Sequence, residues 1–325
     1  MTGLVAVTGA TGFLGRYIVR ILIQHGWRVR ILARQYPVHE QFSDLRFEVI
    51  PGDLSNHGAL RALVRGADRV VHAAGLIKAR DARAFQAVNV QGTANLVAAV
   101  NAEGAPSRLL LVSSMASREP HLSPYAATKR AAEEIVHAAL APQHEWMIIR
   151  PSAVYGPWDM ETFMVLKAVS RGIAPRPGKK NARVSLVHAS DVAAAVAALC
   201  AGGQAGSLFE ISDARQDGYL WEEITNAAAK AMGVRTVKLP LPALAVKLAG
   251  ALGTAGGRFR PSPAMLTIDK AREILHPDWS PRAECQPPET LWQPKIDINC
   301  GFSETIRWYQ SRGWLSGRGK SDQPD

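Results

Sequence analysis

Apolar residues come in short runs separated by longer stretches with helical spacing. Leu4 to Thr8, Val29 to Ala33, Phe47 to Ile50, Arg69 to Ala73, Leu109 to Val112 and Trp146 to Ile149 read as strands. Between them, Phe13 to Gly26 places Tyr17, Ile18, Ile21 and Leu22 on one helical face, and Leu60 to Arg65, Phe85 to Ala102 and Tyr125 to Leu140 read as further helices. Strands apolar on both faces that alternate with helices indicate a parallel sheet covered on each side. After Pro151 the pattern loosens, and Pro157, Gly172, Pro175, Pro177 and Gly178 interrupt it. Two short strands, Val184 to Val187 and Ser207 to Ile211, flank an Ala-rich helix, and an aromatic segment, GFSETIRWYQSRGWL, follows near the end.

Gly9, Gly12 and Gly15 lie between the first strand and the first helix. Glycines there permit a tight turn and close backbone approach, and the helix N-terminus presents free N–H groups to a pyrophosphate. At the end of the second strand an NAD-preferring site carries Asp or Glu for the ribose hydroxyl. This chain has Leu32-Ala33-Arg34-Gln35 instead. Arg34 suits a 2′-phosphate, so NADP is expected over NAD. Tyr125 and Lys129 stand four apart in YAATK, on one face of a helix. A neighbouring ammonium favours phenolate, so Lys129 is expected to lower the proton affinity of Tyr125. Ser113 and Ser114 follow the strand Leu109 to Val112, at the C-terminal end of a parallel strand, where such sheets place ligands.

TGATGFLG, Asp53 of PGDL, His72-Ala73-Ala74-Gly75, Asn89 of NVQGT, the VSS strand end, YAATK and RPSAVYGP occur in the order seen in the extended short-chain dehydrogenase/reductase superfamily, which this chain resembles over residues 3 to 200 and more loosely to Leu315. The ending is similar to that of members labelled epimerase/dehydratase or 3β-hydroxysteroid dehydrogenase-like. The resemblance implies a doubly wound (Rossmann) α/β sheet with a smaller C-terminal substrate-binding part. Residues 1–155 would bind the dinucleotide, with 184–212 returning to that domain. Residues 156–183 and 213–316 would bind substrate, and 317–325 would be a disordered tail. Tyr125 would be the general acid/base, Lys129 would tune it and hold the nicotinamide ribose, and Ser114 would polarise the reacting oxygen with Ser113 as understudy. Gly9, Thr11, Gly12, Phe13, Leu14, Gly15 and Arg34 would contact the dinucleotide. Asp53 and Leu54 would flank adenine, and Ala73, Ala74 and Gly75 would line the cofactor. Asn89 would hold a helix irregularity or a water, and Pro151 to Val154 would lie near the nicotinamide.

Two departures separate the chain from sugar-nucleotide members. Only eleven positions separate Ser114 from Tyr125, and the acidic NAD residue is missing. The favoured reading is an oxidoreductase moving a hydride between NADP and a carbonyl or secondary alcohol, the substrate apolar or lipid-like. The alternatives are an NAD-dependent sugar-nucleotide epimerase or dehydratase, and a non-catalytic NADPH-binding subunit or sensor. Among other residues, Asp191 is expected to cap a helix, His188 and His72 to be structural, Lys78 to lie on the surface, and Trp279, Trp292, Trp308 and Trp314 to close a small core. Leu239 to Gly257 reads as an apolar, Gly-interrupted helix, serving as core, oligomer contact, substrate wall or membrane-resting patch.

Composition then narrows the class. The 325 residues are 47% hydrophobic and 20% charged, which excludes a disordered chain and a coiled coil. Cys200, Cys285 and Cys300 form no CxxC or CxxH pair, so no metal site is expected and free thiols in the cytoplasm are. No run of eighteen apolar residues exists, and no transmembrane segment is expected, though peripheral membrane contact and a homodimer stay open. The formal charge of +10 points to anionic partners. No motif supports nucleic acid, so the charge is read as serving a phosphorylated cofactor and a small substrate, with the basic stretch Arg171 to Arg183 available to a phosphate-bearing one.

Overall fold

The computed structural model describes residues 3–79, 81–257 and 264–315. The expected tail, 317–325, lies outside the described residues. The first strand, β1 (Leu4–Thr8), leads into α1 (Phe13–Gln24), followed by β2 (Arg28–Ala33), β3 (Glu48–Pro51), α2 (His57–Val64) and β4 (Arg69–His72). Two short helices, α3 (Ala82–Phe85) and α4 (Gly92–Asn101), flank a π-helical segment, Gln86–Gln91. Then come β5 (Arg108–Val112), α5 (Pro124–Ala139), β6 (Glu145–Pro151) and β7 (Ala153–Tyr155). The remaining elements are α6 (Glu161–Ser170), β8 (Ile173–Pro177), β9 (Arg183–Val184), β10 (Leu186–His188), α7 (Ala189–Ala201), β11 (Ser207–Ile211), β12 (Tyr219–Leu220), α8 (Trp221–Met232), β13 (Val237–Leu241), α9 (Ala243–Gly257), α10 (Ile268–Ile274), β14 (Asp278–Trp279) and α11 (Ile298–Ser311).

Seven strands form one parallel sheet in the order β11-β6-β5-β4-β1-β2-β3. The chain runs outward from β1 to β3, then returns to β4 on the other side of β1. Such a reversal opens a crevice at the carboxyl ends of β1 and β4. Alternation along β1 feeds both faces. Val5 and Val7 enter a core with Ile18 and Leu22 of α1 and Val192 and Val196 of α7. Leu4 and Ala6 enter the opposite core with Leu60, Leu96 and Val136. A third core joins Tyr155, Phe163, Ile224, Phe302 and Tyr309 in the C-terminal part.

Several sequence expectations change. The strand expected at Val184 to Val187 is split at Ser185 between two small sheets. The expected helix Phe85 to Ala102 carries a π-helical segment from Gln86 to Gln91. Leu239 to Gly257 is not one helix, because Pro240 and Pro242 hold its start extended and β13 pairs in parallel with β8. The tryptophans do not share one core: Trp308 and Trp314 join the third, Trp292 joins the first, and Trp279 lies against His276.

Candidate active site

The glycine loop has a separate steric reason at each end. Gly9 sits at φ +74°, and a Cβ there would fall 2.4 Å from the Ala74 nitrogen. A Cβ on Gly15 would fall 2.0 Å from the Gly9 carbonyl oxygen, so only glycine lets α1 rest on the loop. Gly12 is the N-cap of α1 and no side chain caps that end, which leaves backbone donors facing the crevice. Arg16 braces the loop by donating to the Thr11 carbonyl at 2.8 Å. Thr11 is exposed, Phe13 is edge-on to Tyr17, and Leu14 leans on the first core.

At the adenosine end, Arg34 is exposed just past β2. Asp53 is hydrogen-bonded by the Ser55 hydroxyl and backbone, which hold its carboxyl below the usual range, and the charge of Arg34 adds to this. Leu54 packs its side chain inward. It is buried in the second core, and a Cβ on Gly92 would fall 2.6 Å from it.

The crevice wall at β4 is fixed by polar side chains. His72 lies buried between the Thr8 hydroxyl (2.7 Å) and the Thr93 hydroxyl (2.9 Å), and burial lowers its pKa to about 3. Asn89, in the π-helical segment, accepts from the Leu76 N–H at 2.7 Å and donates to the Leu76 carbonyl and the Thr128 hydroxyl, both at 3.1 Å. Its amide therefore holds the loop after Ala73 and Ala74. Gly75 faces Lys129, whose Nζ lies 3.7 Å from where a Gly75 Cβ would be. Pro151 closes β6 and Val154 lies in β7, paired with Val187.

The two serines after β5 separate cleanly. Ser113 is buried and its hydroxyl donates to Glu133, which also accepts from Ser117 and from Arg150 at 2.9 and 2.6 Å. Ser113 is thereby committed to a buried ion-pair network. Ser114 caps the turn Met115–Arg118, accepting from the Ala116 N–H at 3.2 Å, and its hydroxyl is near enough to Tyr125 to favour the phenolate. Ser123 caps α5 with Pro124 at its first turn, which starts the helix one residue before Tyr125.

Tyr125 differs from expectation. Burial raises its pKa, the Ser114 hydroxyl opposes this, and Lys129 is not among its main influences. The reason is geometric: the Lys129 Nζ donates to the Val112 carbonyl at 2.7 Å. Burial lowers Lys129 to about 8, with Glu133 opposing. Tyr125 instead feels groups that the sequence did not connect to it. Glu273 and Glu161 raise its pKa and Lys270 lowers it. Lys270 pairs with Glu161 at 3.3 Å and Glu273 at 3.4 Å, and Glu273 accepts from the Ser123 hydroxyl. Lys78 is not a surface lysine as expected, since it pairs with Glu161. These residues come from α6, α10 and the loop after β4, and no local spacing announces their meeting.

His188 is a structural hydrogen-bonder as expected, and Asp191 lies in the first turn of α7 without being its cap. The His188 ring accepts from the Ser190 N–H at 3.3 Å and caps α7, and burial lowers its pKa to about 4. Asp191 accepts from the backbone of Lys295 and Ile296, tying the C-terminal segment to α7.

The glycine cradle and the uncapped end of α1 at the carboxyl ends of β1 and β4 fit a dinucleotide, and Ser114, Tyr125 and Lys129 follow β5 and lie on α5 beside it. The sequence profile of the NAD dependent epimerase/dehydratase family matches residues 5–212, and the chain belongs to this family. It is 44% identical over 313 residues, 96% of each chain, to a ceramide reductase from Caulobacter vibrioides. It is 30% identical over 283 residues, 75% of this chain and 74% of the other, to a 3 beta-hydroxysteroid dehydrogenase/Delta 5-->4-isomerase from Mycobacterium tuberculosis. Among solved structures, a UDP-glucuronic acid 4-epimerase from Bacillus cereus, determined with NAD, shares the fold with a TM-score of 0.72 at 17% identity, covering 96% of this chain and 100% of its own. The family and these relatives make the protein an oxidoreductase of the extended short-chain type.

Proposed function

We propose that the protein is an NADP-dependent reductase that converts a carbonyl of a ceramide-like lipid to the alcohol. The observation that carries this reading is the 44% identity to the Caulobacter ceramide reductase over 96% of both chains. Three features support it: the Ser114, Tyr125 and Lys129 set is complete, Arg34 stands where an NAD site has a carboxylate, and the site faces the C-terminal part. In the domain division we propose, residues 1–155 and 184–212 hold the dinucleotide, and 156–183 with 213–316 hold the substrate.

Bound NADPH would supply a hydride to the carbonyl carbon. Ser114 would hold the carbonyl oxygen by hydrogen bonding. Tyr125 would give its phenolic proton to that oxygen as negative charge develops there. The raised proton affinity of Tyr125 keeps it protonated near neutral pH, which suits reduction over alcohol oxidation. Lys129 would sit beside Gly75 at the ribose and keep the strand end carrying Ser114 in place. The net change is carbonyl, NADPH and one solvent proton to alcohol and NADP.

The test is NADPH consumption with a ketone of a ceramide-class lipid, alongside a matched alcohol with NADP. Turnover should depend on Tyr125, and NADP(H) should bind at least about tenfold tighter than NAD(H), a gap that Arg34→Ala largely removes. Equal affinity for the two cofactors in the unmutated protein overturns the NADP assignment. The solved relatives that carry NAD with sugar nucleotides favour a second reading, an epimerase that recycles NAD. Purified protein with tightly held NAD and no net turnover would establish it.

A further inference from the structure

The chain's positive charge is unevenly placed. Residues 162–190 and 224–268 contain twelve lysines and arginines and no aspartate or glutamate. Those segments carry a formal +12, more than the whole chain's +10, so the remainder is slightly acidic. The fold joins the two segments, because β8 and β13 pair in parallel with Lys238 opposite Ala174 and Arg176 opposite Pro240. Arg176, Lys180 and Lys238 are close enough together that all three act on Glu222, which accepts a hydrogen bond from Lys238.

The helix that follows β13 is exposed in an unusual way. α9 buries Val246 and Gly250 against α10, where a Cβ on Gly250 would fall 2.7 Å from the Thr267 carbonyl oxygen. On the opposite side Leu244, Leu248 and Leu252 repeat every four residues and are 68%, 56% and 74% exposed. Val237 is 77% exposed nearby in β13, and Lys247 is exposed on α9 itself. An apolar stripe on a helix that carries an exposed lysine and no acidic residue, and that follows directly on the basic β13 segment, matches the chemistry of an anionic bilayer surface. A second copy fits less well, because a two-fold contact through this face would set two surfaces with a net positive charge against each other, Glu222 offsetting only part of it.

We propose that α9 and the β8–β13 edge form a peripheral docking face for membranes containing anionic phospholipid. The leucine stripe enters the headgroup boundary and the surrounding lysines and arginines meet lipid phosphates. α10, on which α9 rests, carries Lys270 and Glu273 to Tyr125, so docking sets the catalytic crevice one helix from the lipid. Exposure and charge alone define this face, whichever carbonyl is reduced.

Co-sedimentation of the full chain with vesicles tests it without substrate or cofactor. Vesicles of phosphatidylglycerol mixed with phosphatidylcholine should retain the protein about tenfold more strongly than pure phosphatidylcholine, and high salt should release it. The triple variant Leu244→Ser, Leu248→Ser, Leu252→Ser should keep its unfolding temperature and lose about tenfold or more in vesicle affinity. Absence of binding by the unmutated protein overturns the proposal, as does unchanged binding by the triple variant. A triple variant that changes from dimer to monomer in solution with vesicle binding unaltered would assign the stripe to self-association and also overturn it.

Discussion

The Lys129 Nζ donates a 2.7 Å hydrogen bond to the carbonyl oxygen of Val112, the last residue of β5. The bond fastens α5, which carries Tyr125, to the strand that delivers Ser114. Lys129→Met leaves that carbonyl buried and unpaired, a cost of about 1–3 kcal/mol. It also removes the cation facing Gly75. We expect a lower unfolding temperature together with loss of most turnover, and no recovery with Lys129→Arg, whose planar fork is not an ammonium of the same reach. Thermal unfolding and kcat/KM measured on the same two variants check both parts.

Ser113 and Ser114 should fail in different ways. Ser114 is the hydroxyl at Tyr125, whereas Ser113 donates to Glu133 inside the Arg150 network. Ser114→Ala should lower kcat about a hundredfold, with a stability cost of about 1 kcal/mol from the lost cap of the Met115–Arg118 turn. Ser113→Ala should cost about 1–2 kcal/mol and leave kcat near the parent value. Equal kcat losses in the two variants would contradict the division of labour.

The parallel sheet was legible because each strand is a short apolar run bounded by turn residues, and the glycine loop because its spacing is local. Tyr125 and Lys129 were equally legible, since four residues of helix place them on one face. Their electrostatics were not. Spacing put a cation near the phenol, but folding turned Lys129 to Val112 and brought Lys270 from α10 instead. Nothing in sequence links positions 270 and 125, because the link is tertiary packing. The Leu239 to Gly257 stretch failed for a local reason. Hydropathy continues across Pro240 and Pro242, whereas backbone geometry does not.

Acid should destabilise the fold through His72. Its folded pKa is lowered to about 3 by burial from an ordinary 6.5. The unfolded chain therefore binds a proton that the folded chain refuses. Stability from this residue is fully present above about pH 6.5 and is lost as pH falls towards 3, with a slope of up to about 1.4 kcal/mol per pH unit. His188, lowered to about 4, acts in the same direction. His72→Gln should flatten the pH dependence of unfolding free energy below pH 6.5 by up to one proton. Chemical denaturation at several pH values reads this directly, and an unchanged slope would show that His72 is not the responsible group.

The charges above Tyr125 predict opposite shifts in the pH dependence of reduction. Lys270 lowers the proton affinity of the phenol and Glu273 raises it. Tyr125 must hold its proton to donate it, so activity should fall as pH rises through its pKa. Lys270→Met removes the cation and should move that alkaline limb to higher pH. Glu273→Gln removes the anion and should move it to lower pH. The glutamine can still accept from Ser123, which keeps the cap of α5 supported. Both substitutions disturb the same ion-pair cluster, so a merely structural role would weaken both enzymes without separating their profiles. Measuring kcat/KM against pH for the pair therefore isolates the electrostatic effect, and displacement of both limbs in one direction would refute it.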